Sequence, residues 1–407
     1  MNRVLLLLAS FGAVAVSAGK WHHPRGHPVH DLFKRDTTLP AVGSAAWIAQ
    51  YPTNINTTTV PAAWMTAYTN AKNAGLIPDI APATLVNGNP TYATGIDPGS
   101  PTICSSTVQC RINGTTTQLW DAPSGTIGVA FDDGPLPPST ILYPFLKQNN
   151  QGATHFFIGS NILGNPDIFS QCLADPLQDI AVHTWTHPYM TTQTDEQLLL
   201  ELGLTMQIIH DSTNGRVPAY WRPPFGDSDV RVVAIAYYVF HLTTVIWNND
   251  SNDWQIGEPG GENFTDASVT ASLTGWLNGP KTPGLFILEH ELSNDTVNCF
   301  INTYPLHASN GWISKSIPDV LDHAWYLNSQ NSTAPVVALD VAASPAPIPT
   351  PVAPTTPAAP VVSASVSAAA TGGASKPASN STNGAASSVF ISSAALLGAV
   401  LFSLALW

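Results

Sequence analysis

The sequence predicts an α/β fold with a parallel sheet at its centre. Between Gly125 and about Gln330, short β-branched apolar runs alternate with segments whose apolar residues recur at helical spacing. The polar residues suited to chemistry come directly after the apolar runs, and ligand sites of parallel α/β folds lie at the carboxyl ends of the strands. The alternation is compatible with a barrel or with an open sheet.

The first run is 126–131 (TIGVAF), and 153–158, 179–182, 242–247 and 285–288 (LFIL) read as further buried strands. Between them, helices are expected over 139–148, 195–210, 227–238, 266–277 and 317–327. In the second helix Leu198, Leu199, Leu202, Met206 and Ile209 form one apolar stripe, with Thr194 as its cap. Ser139 is placed to cap the first. Residues 36–123 are rich in Thr, Asn, Pro and Ala and read as an irregular extension. Its aromatic residues Trp47, Tyr51, Trp64, Tyr68 and Trp120 are expected to anchor it to the main domain rather than to stack on a sugar.

Both ends of the chain look like processing signals. Residues 1–18 have a basic residue at Arg3, an apolar stretch and small residues at Ser17 and Ala18, as a secretory leader requires. The dibasic pair Lys34-Arg35 is a second candidate cleavage point. From about Val341 the chain is almost wholly Pro, Ala, Ser, Thr and Val, with Lys376 its lone charge, too poor in bulky apolar residues to build a core. Small residues around Asn383, a spacer and a terminal apolar run without flanking basic residues match a glycosylphosphatidylinositol signal. Asn383 is the expected attachment residue. The expectation is a secreted protein held at the cell membrane by its lipid or in the cell wall.

Four cysteines, Cys104, Cys110, Cys172 and Cys299, suggest two disulfides, of which the short Cys104–Cys110 loop is the easiest to form. Sequons at Asn56, Asn113, Asn263, Asn294, Asn331 and Asn380 fit an extracellular glycoprotein. A further match at Asn249 falls inside a motif with other work to do and is expected to stay unmodified. A net charge of −13 with only 14 Lys and Arg excludes nucleic acid as a natural partner. A monomer is expected.

The chemistry lies in a series of motifs. Phe131-Asp132-Asp133-Gly134-Pro135 places two adjacent carboxylates where a buried strand surfaces, an arrangement that a cation relieves. His183-Thr184-Trp185-Thr186-His187 carries two imidazoles four residues apart, on one face of a helical turn and suited to one metal ion. Asp133, His183 and His187 therefore make a three-ligand set with open positions. The turn lacks the glutamate of a peptidase His-Glu-x-x-His helix, which disfavours proteolysis. Arg222 in Arg222-Pro223-Pro224-Phe225-Gly226 has the fork to hold Asp132 ionised, and the prolines fix a backbone N–H near Phe225 for an oxyanion. Asp250-Ser251-Asn252-Asp253-Trp254 and Leu288-Glu289-His290 end the last strands, with His290 a candidate acid.

In this order, FDDGP, HTWTH, RPPFG, DSNDW and LEH resemble the five signature motifs of the polysaccharide deacetylase family, also called the NodB-homology or carbohydrate esterase family 4 domain, and within it the fungal chitin deacetylases. The likeness covers about 124–330. It implies a distorted (β/α) barrel behind the 19–123 extension, followed by a 331–383 stalk and a 384–407 tail removed on anchoring. It implies one divalent ion, zinc or cobalt, on Asp133, His183 and His187, and removal of acetyl groups from the N-acetylglucosamine units of chitin. By motif position Asp132 is the base, held by Arg222, with the Phe225 N–H serving the oxyanion. Asp250 and Asp253 shape one wall and tune His290 as the acid, Trp254 offers an apolar surface, and Leu288 lines the acetate methyl pocket. Ala130, Phe225 and Glu291 depart from the residues common at those places without removing a catalytic group. The readings set against this are an esterase of acetylated xylan or peptidoglycan, and a non-catalytic surface mannoprotein.

Overall fold

The main-domain strands are Gln118–Leu119 (β1), Thr126–Gly128 (β2), Ala130–Asp132 (β3), Ala153–Phe157 (β4), Gln178–Val182 (β5), Tyr220–Trp221 (β6), Thr243–Val245 (β7), Asn249–Asp250 (β8), Ile287–Leu288 (β9) and Ile313–Lys315 (β10). They are taken from a computed structural model that describes residues 29–33, 39–112 and 117–336. The leader, the dibasic pair, Asn113, the stalk beyond residue 336 with Asn380, and Asn383 with the terminal tail lie outside the described residues.

One sheet runs β1-β7-β6-β5-β4-β3, with every neighbouring pair parallel. Beyond β3 the series continues through a parallel bridge between Asp132 and His290 to β9, which pairs in turn with β8. β8 succeeds β7 on the same stretch of chain, so the neighbours return to their start and the sheet curls into a distorted (β/α) barrel. The open sheet is set aside. The two faces of each strand feed two apolar clusters, as the period of two demands. Ala130, Phe156, Ala181, Tyr220, Val245 and Phe286 fill the barrel interior. Phe131, Phe157, Ile180, Val182, Trp221 and Ile287 join the larger cluster with the helices. β4 and β5 are buried at every position, so their polar residues are paired with each other: Thr154 Oγ1 donates to Asp179 Oδ2 (3.0 Å), and His155 Nε2 faces Gln178 Oε1 (3.1 Å).

The helices are Ala62–Asn73 (α1), Ser139–Gln148 (α2), Pro166–Leu173 (α3), Asp195–Ser212 (α4), Val230–Phe240 (α5), Asp266–Leu277 (α6) and Asn294–Thr303 (α7), with shorter turns between. Thr194 and Gln197 form the capping box of α4. That helix is buried on nearly every side, because the extension covers its outer face. The Trp47 indole donates to Ser212 Oγ (3.2 Å) and the Tyr51 hydroxyl to Asp211 Oδ2 (3.1 Å). Tyr68 bonds Asp195. The Trp64 ring lies where a β-carbon on Gly203 would stand. The extension's aromatic residues are thus core, and its chain is less irregular than its composition suggests, since α1 and a hairpin of Thr84–Val86 with Asn89–Thr91 lie within it. Among the described residues no helix is long and apolar enough to cross a membrane.

Several expectations need correction. The strand expected over 126–131 is divided: β2 pairs with β10, whereas β3 pairs with β4. The switch falls at Val129, whose N–H bonds Lys315 while its carbonyl serves Thr154. Ser139 does not cap α2 through its own first turn; its hydroxyl accepts Leu136 N–H behind it (3.0 Å). The third expected helix starts later, with Asp229 as its cap. The helix expected over 317–327 is only Ile317–Val320, because Asp322 turns left-handed and 327–328 bond back to 215–217. Only Cys104–Cys110 is bridged. Cys172 and Cys299 are buried free thiols, the first against His155 and the second facing the Asp266 carbonyl.

If the extension stabilises the barrel through its aromatic anchors, Trp64→Ala lowers unfolding free energy by about 3–5 kcal/mol. Denaturant melts of the two proteins measure this, and a loss within experimental error would show that α1 is a passive cover.

Candidate active site

Two backbone hydrogen bonds lock the ends of β3 and the β9 segment in register: Asp132 N–H to the Glu289 carbonyl (3.0 Å) and Glu291 N–H to the Asp132 carbonyl (3.1 Å). They bring the first and last motifs side by side. The Asp132 carboxylate takes Arg222 Nη1 at 2.7 Å on Oδ1. Arg222 is fully buried, at the end of β6, with its guanidinium 4.3 Å from the centre of the Phe156 ring. Asp132 Oδ2 is left toward the metal-ligand candidates, 3.8 Å from His183 Nε2.

Asp133 Oδ1 lies 3.3 Å from His183 Nε2 and 3.3 Å from His187 Nε2, and the three ligand atoms are within 4.8 Å of one another. The His183 Nδ1 faces the Arg222 carbonyl at 2.7 Å, an acceptor only, so Nδ1 carries the proton and the Nε2 lone pair faces the carboxylate. Asp133 Oδ1 is buried and receives no hydrogen bond. Lone pairs converging on an orphaned carboxylate oxygen fit a divalent cation, and the outer contact on Nδ1 is how ligating imidazoles are held. Burial opposes the Asp133 charge, but with the imidazoles protonated in place of a bound cation His187 and His183 outweigh it and hold the carboxyl well below its ordinary range.

The two histidines lie on a strand-to-loop turn, as Pro188 implies, and no helical turn joins them. Thr184 and His187 take positive φ (67° and 60°), and this irregular turn is what aims both rings at Asp133. Glu201 from α4 clamps it, accepting Trp185 N–H (2.7 Å) and Thr186 N–H (2.8 Å) and bonding the Thr186 hydroxyl. Burial raises the Glu201 pKa. Reasoning from sequence missed this residue, although an acid set among the leucines 198–200 and 202 is a signal that could have found it.

His290 Nδ1 lies 2.6 Å from Asp253 Oδ1, and its backbone N–H donates to Asp253 Oδ2 (2.9 Å). Burial alone would lower its pKa, yet Asp253 first, then Asp133 and Asp132, push it up to about 10. Asp250 does not bond His290; it accepts Asn252 N–H (2.8 Å) and so shapes the turn that carries Asp253. Leu288 is buried and in register with Asp250, whereas Trp254 and Phe225 are 42% and 48% exposed. Phe225 has φ 58°, stacks on Tyr189 (4.1 Å between ring centres) and meets His187 edge-on (4.6 Å). Glu291 turns away from the site into a buried pair with His155 (2.8 Å), whose other nitrogen faces Gln178 (3.1 Å). Burial opposes charge on that imidazole, but Cys172 and Glu291 raise its pKa well above the ordinary value. Nothing in the sequence marked His155 as the partner.

The sequence profile of the polysaccharide deacetylase family matches residues 121–239. Chitin deacetylase 3 of Cryptococcus neoformans is 40% identical over 338 residues, covering 82% of this chain and 80% of that protein. The chitin deacetylase of Amylomyces rouxii is 33% identical over 266 residues, covering 60% and 62%. Among solved structures, the chitin deacetylase of Colletotrichum lindemuthianum aligns with a TM-score of 0.47 at 22% identity, covering 52% of this chain and 95% of that one.

Two outcomes are expected of this site. Zinc titrated calorimetrically into the metal-free protein binds at one per chain, and Asp133→Ala weakens it by more than the roughly 10–100-fold that losing an outer-shell partner costs. Unchanged binding would place the ion elsewhere. The elevated His290 pKa means that its charged pair with Asp253 stabilises the fold fully below about pH 6.5 and loses that contribution as pH rises through about 10. In metal-free Asp253→Asn the His290 midpoint, tracked by NMR, drops by more than one unit toward the ordinary value; a midpoint that stays put would remove Asp253 as the cause.

Proposed function

Because the chain belongs to the polysaccharide deacetylase family, we propose that it hydrolyses the N-acetyl groups of N-acetylglucosamine units in chitin, releasing acetate and leaving chitosan. The observation that carries the reading is one cluster: a carboxylate fixed by a buried arginine and an imidazole fixed by a buried aspartate, flanking a three-ligand cation site.

The residues set the order of events. Asp132, oriented through Oδ1 by Arg222, takes the proton of the attacking water on Oδ2 while the water oxygen bonds the acetyl carbon. A divalent ion bound by Asp133, His183 and His187 supplies Lewis acidity, which polarises an acyl oxygen and makes water easier to deprotonate. Phe225, held in a left-handed conformation after two prolines, offers its N–H to the developing oxyanion. His290, kept protonated by Asp253, delivers its proton to the sugar nitrogen as the carbon–nitrogen bond breaks, which turns a poor amide leaving group into an amine. Leu288 gives the acetyl methyl an apolar wall, and the exposed Trp254 and Phe225 give the sugar ring flat apolar surfaces. Zinc is the proposed ion, since a carboxylate with two imidazoles is a donor set it favours.

The site of action is proposed to be the cell surface. Support comes from the leader-like first 18 residues and from the small-residue site, spacer and apolar tail around Asn383. Of the sequons, Asn56, Asn263 and Asn294 are exposed and open to glycosylation. The Asn331 carboxamide oxygen instead accepts bonds from Thr333 and Ala334.

The test is acetate released from a chitin hexamer by the purified chain, after chelation and again after zinc is restored. Release should return with zinc, and Asp132→Asn should lower it by about 10²–10⁴ at unchanged zinc content. Release from acetylated xylan but not from the hexamer would move the activity to another polysaccharide; release from neither would sink the enzymatic reading.

A further inference from the structure

The loop that carries the Phe225 N–H, the oxyanion donor, is held by the extension as well as by the barrel. Phe225 and Gly226 both adopt positive φ (58° and 65°). A phenylalanine in that region is unfavourable by itself, and this one is half exposed, so burial does little to hold it. Residues 226–230 are fastened from outside the barrel. The Ser106 hydroxyl has the Gly226 carbonyl as its nearer acceptor at 2.6 Å and the Ser228 carbonyl at 2.9 Å; it accepts Ser228 N–H at 3.0 Å and lies 2.8 Å from Ser228 Oγ. Ser106 N–H donates to the Ser228 carbonyl (2.9 Å) and Val230 N–H to the Ile103 carbonyl (3.0 Å). Both serines are buried. Ser106 itself sits inside the loop closed by Cys104–Cys110, whose ends take left-handed conformations at Cys104 and Gln109. Tyr92 adds a bond from the extension to Asp229 Oδ2 (3.0 Å).

We propose that Ser106, presented by the Cys104–Cys110 loop, is a positioning residue that holds the Gly226 carbonyl and thereby fixes the Phe225 N–H for the oxyanion. The extension is then a working part of the site. Between the two prolines on one side and Ser106 on the other, residue 225 has no freedom to relax out of its left-handed state. The inference rests on the deacetylase reading for its catalytic meaning, and on the hydrogen bonds alone for its mechanical one.

The experiment compares the full chain with Ser106→Ala and with a double variant, Cys104→Ser with Cys110→Ser. Three quantities are read: kcat and KM for acetate release from the chitin hexamer, zinc per chain, and amide hydrogen exchange in peptides covering 222–230 and 153–182. Expected for Ser106→Ala is a kcat lower by about tenfold, part of what losing an oxyanion donor costs. KM should stay within about twofold and zinc unchanged, as for an interaction made only in the transition state. Exchange should be faster over 222–230 and unchanged over 153–182, with the double variant changing in the same direction. A kcat that falls only in step with lost zinc or lost folded protein overturns the proposal, as does faster exchange with unaltered kcat. If the wild-type chain releases no acetate, the deacetylase reading fails on its own; unchanged exchange over 222–230 in Ser106→Ala would then overturn the tether as well.

Discussion

The backbone bridge between Asp132 and His290 is the constraint on which the rest depends. It joins β3 to the β9 segment, and so closes the barrel, and its two hydrogen bonds fix Asp132 and His290 in one register. Closure and assembly of the site are therefore one event. A slip of one residue along that seam would turn Asp132 or His290 to the opposite face, because side chains alternate along a strand. The pair Glu291–His155, immediately beyond, pins the seam from the outside. The approach is tight enough that a side chain on Gly134 would collide with the Glu291 carboxyl.

The site concentrates buried charge, and Arg222 with Asp132 and His290 with Asp253 answer one another. Arg222 is enclosed between Asp132 and the face of Phe156, and Asp253 is buried beneath His290. Buried ionic pairs of this kind contribute little net stability, since desolvation cancels much of the attraction, but losing one partner is costly. Their value here is orientation. Asp133 Oδ1, buried and without a hydrogen bond, lies at the point where the two imidazoles converge. A cation held there would complete the balance, as it does for neighbouring carboxylates in general.

The extension shares the larger apolar cluster with the barrel helices and shields α4, which would otherwise expose an apolar face. It also reaches the loops that carry chemistry: Ala83 N–H bonds the Thr191 carbonyl beyond the histidine turn, and Ser106 and Tyr92 bond the segment after Phe225. Thr191 and Asp227 then join those two loops to each other. Burial pushes the Asp227 carboxyl up to about 6, so this junction is held by a group whose charge the surrounding donors must sustain.

The sequence by itself determined the alternation of strands and helices, the cap at Thr194 and the order of the five motifs along the chain. Those features are local: they come from side-chain periodicity, from cap chemistry and from carboxylates and imidazoles placed next to apolar runs. The alternation alone left the barrel and the open sheet undecided, and only the resemblance of the motifs implied the barrel, since closure rests on backbone pairing between residues about 160 positions apart in the chain, as at Asp132 and His290. The sequence placed the two histidines on a strand-to-loop turn, but not the backbone strain, held by Glu201, that brings them together. It paired four cysteines by parity, whereas Cys172 and Cys299 are each engaged by their own surroundings. Only the tertiary structure decided these matters, because each depends on which distant group occupies the space beside a residue, and no local pattern carries that information.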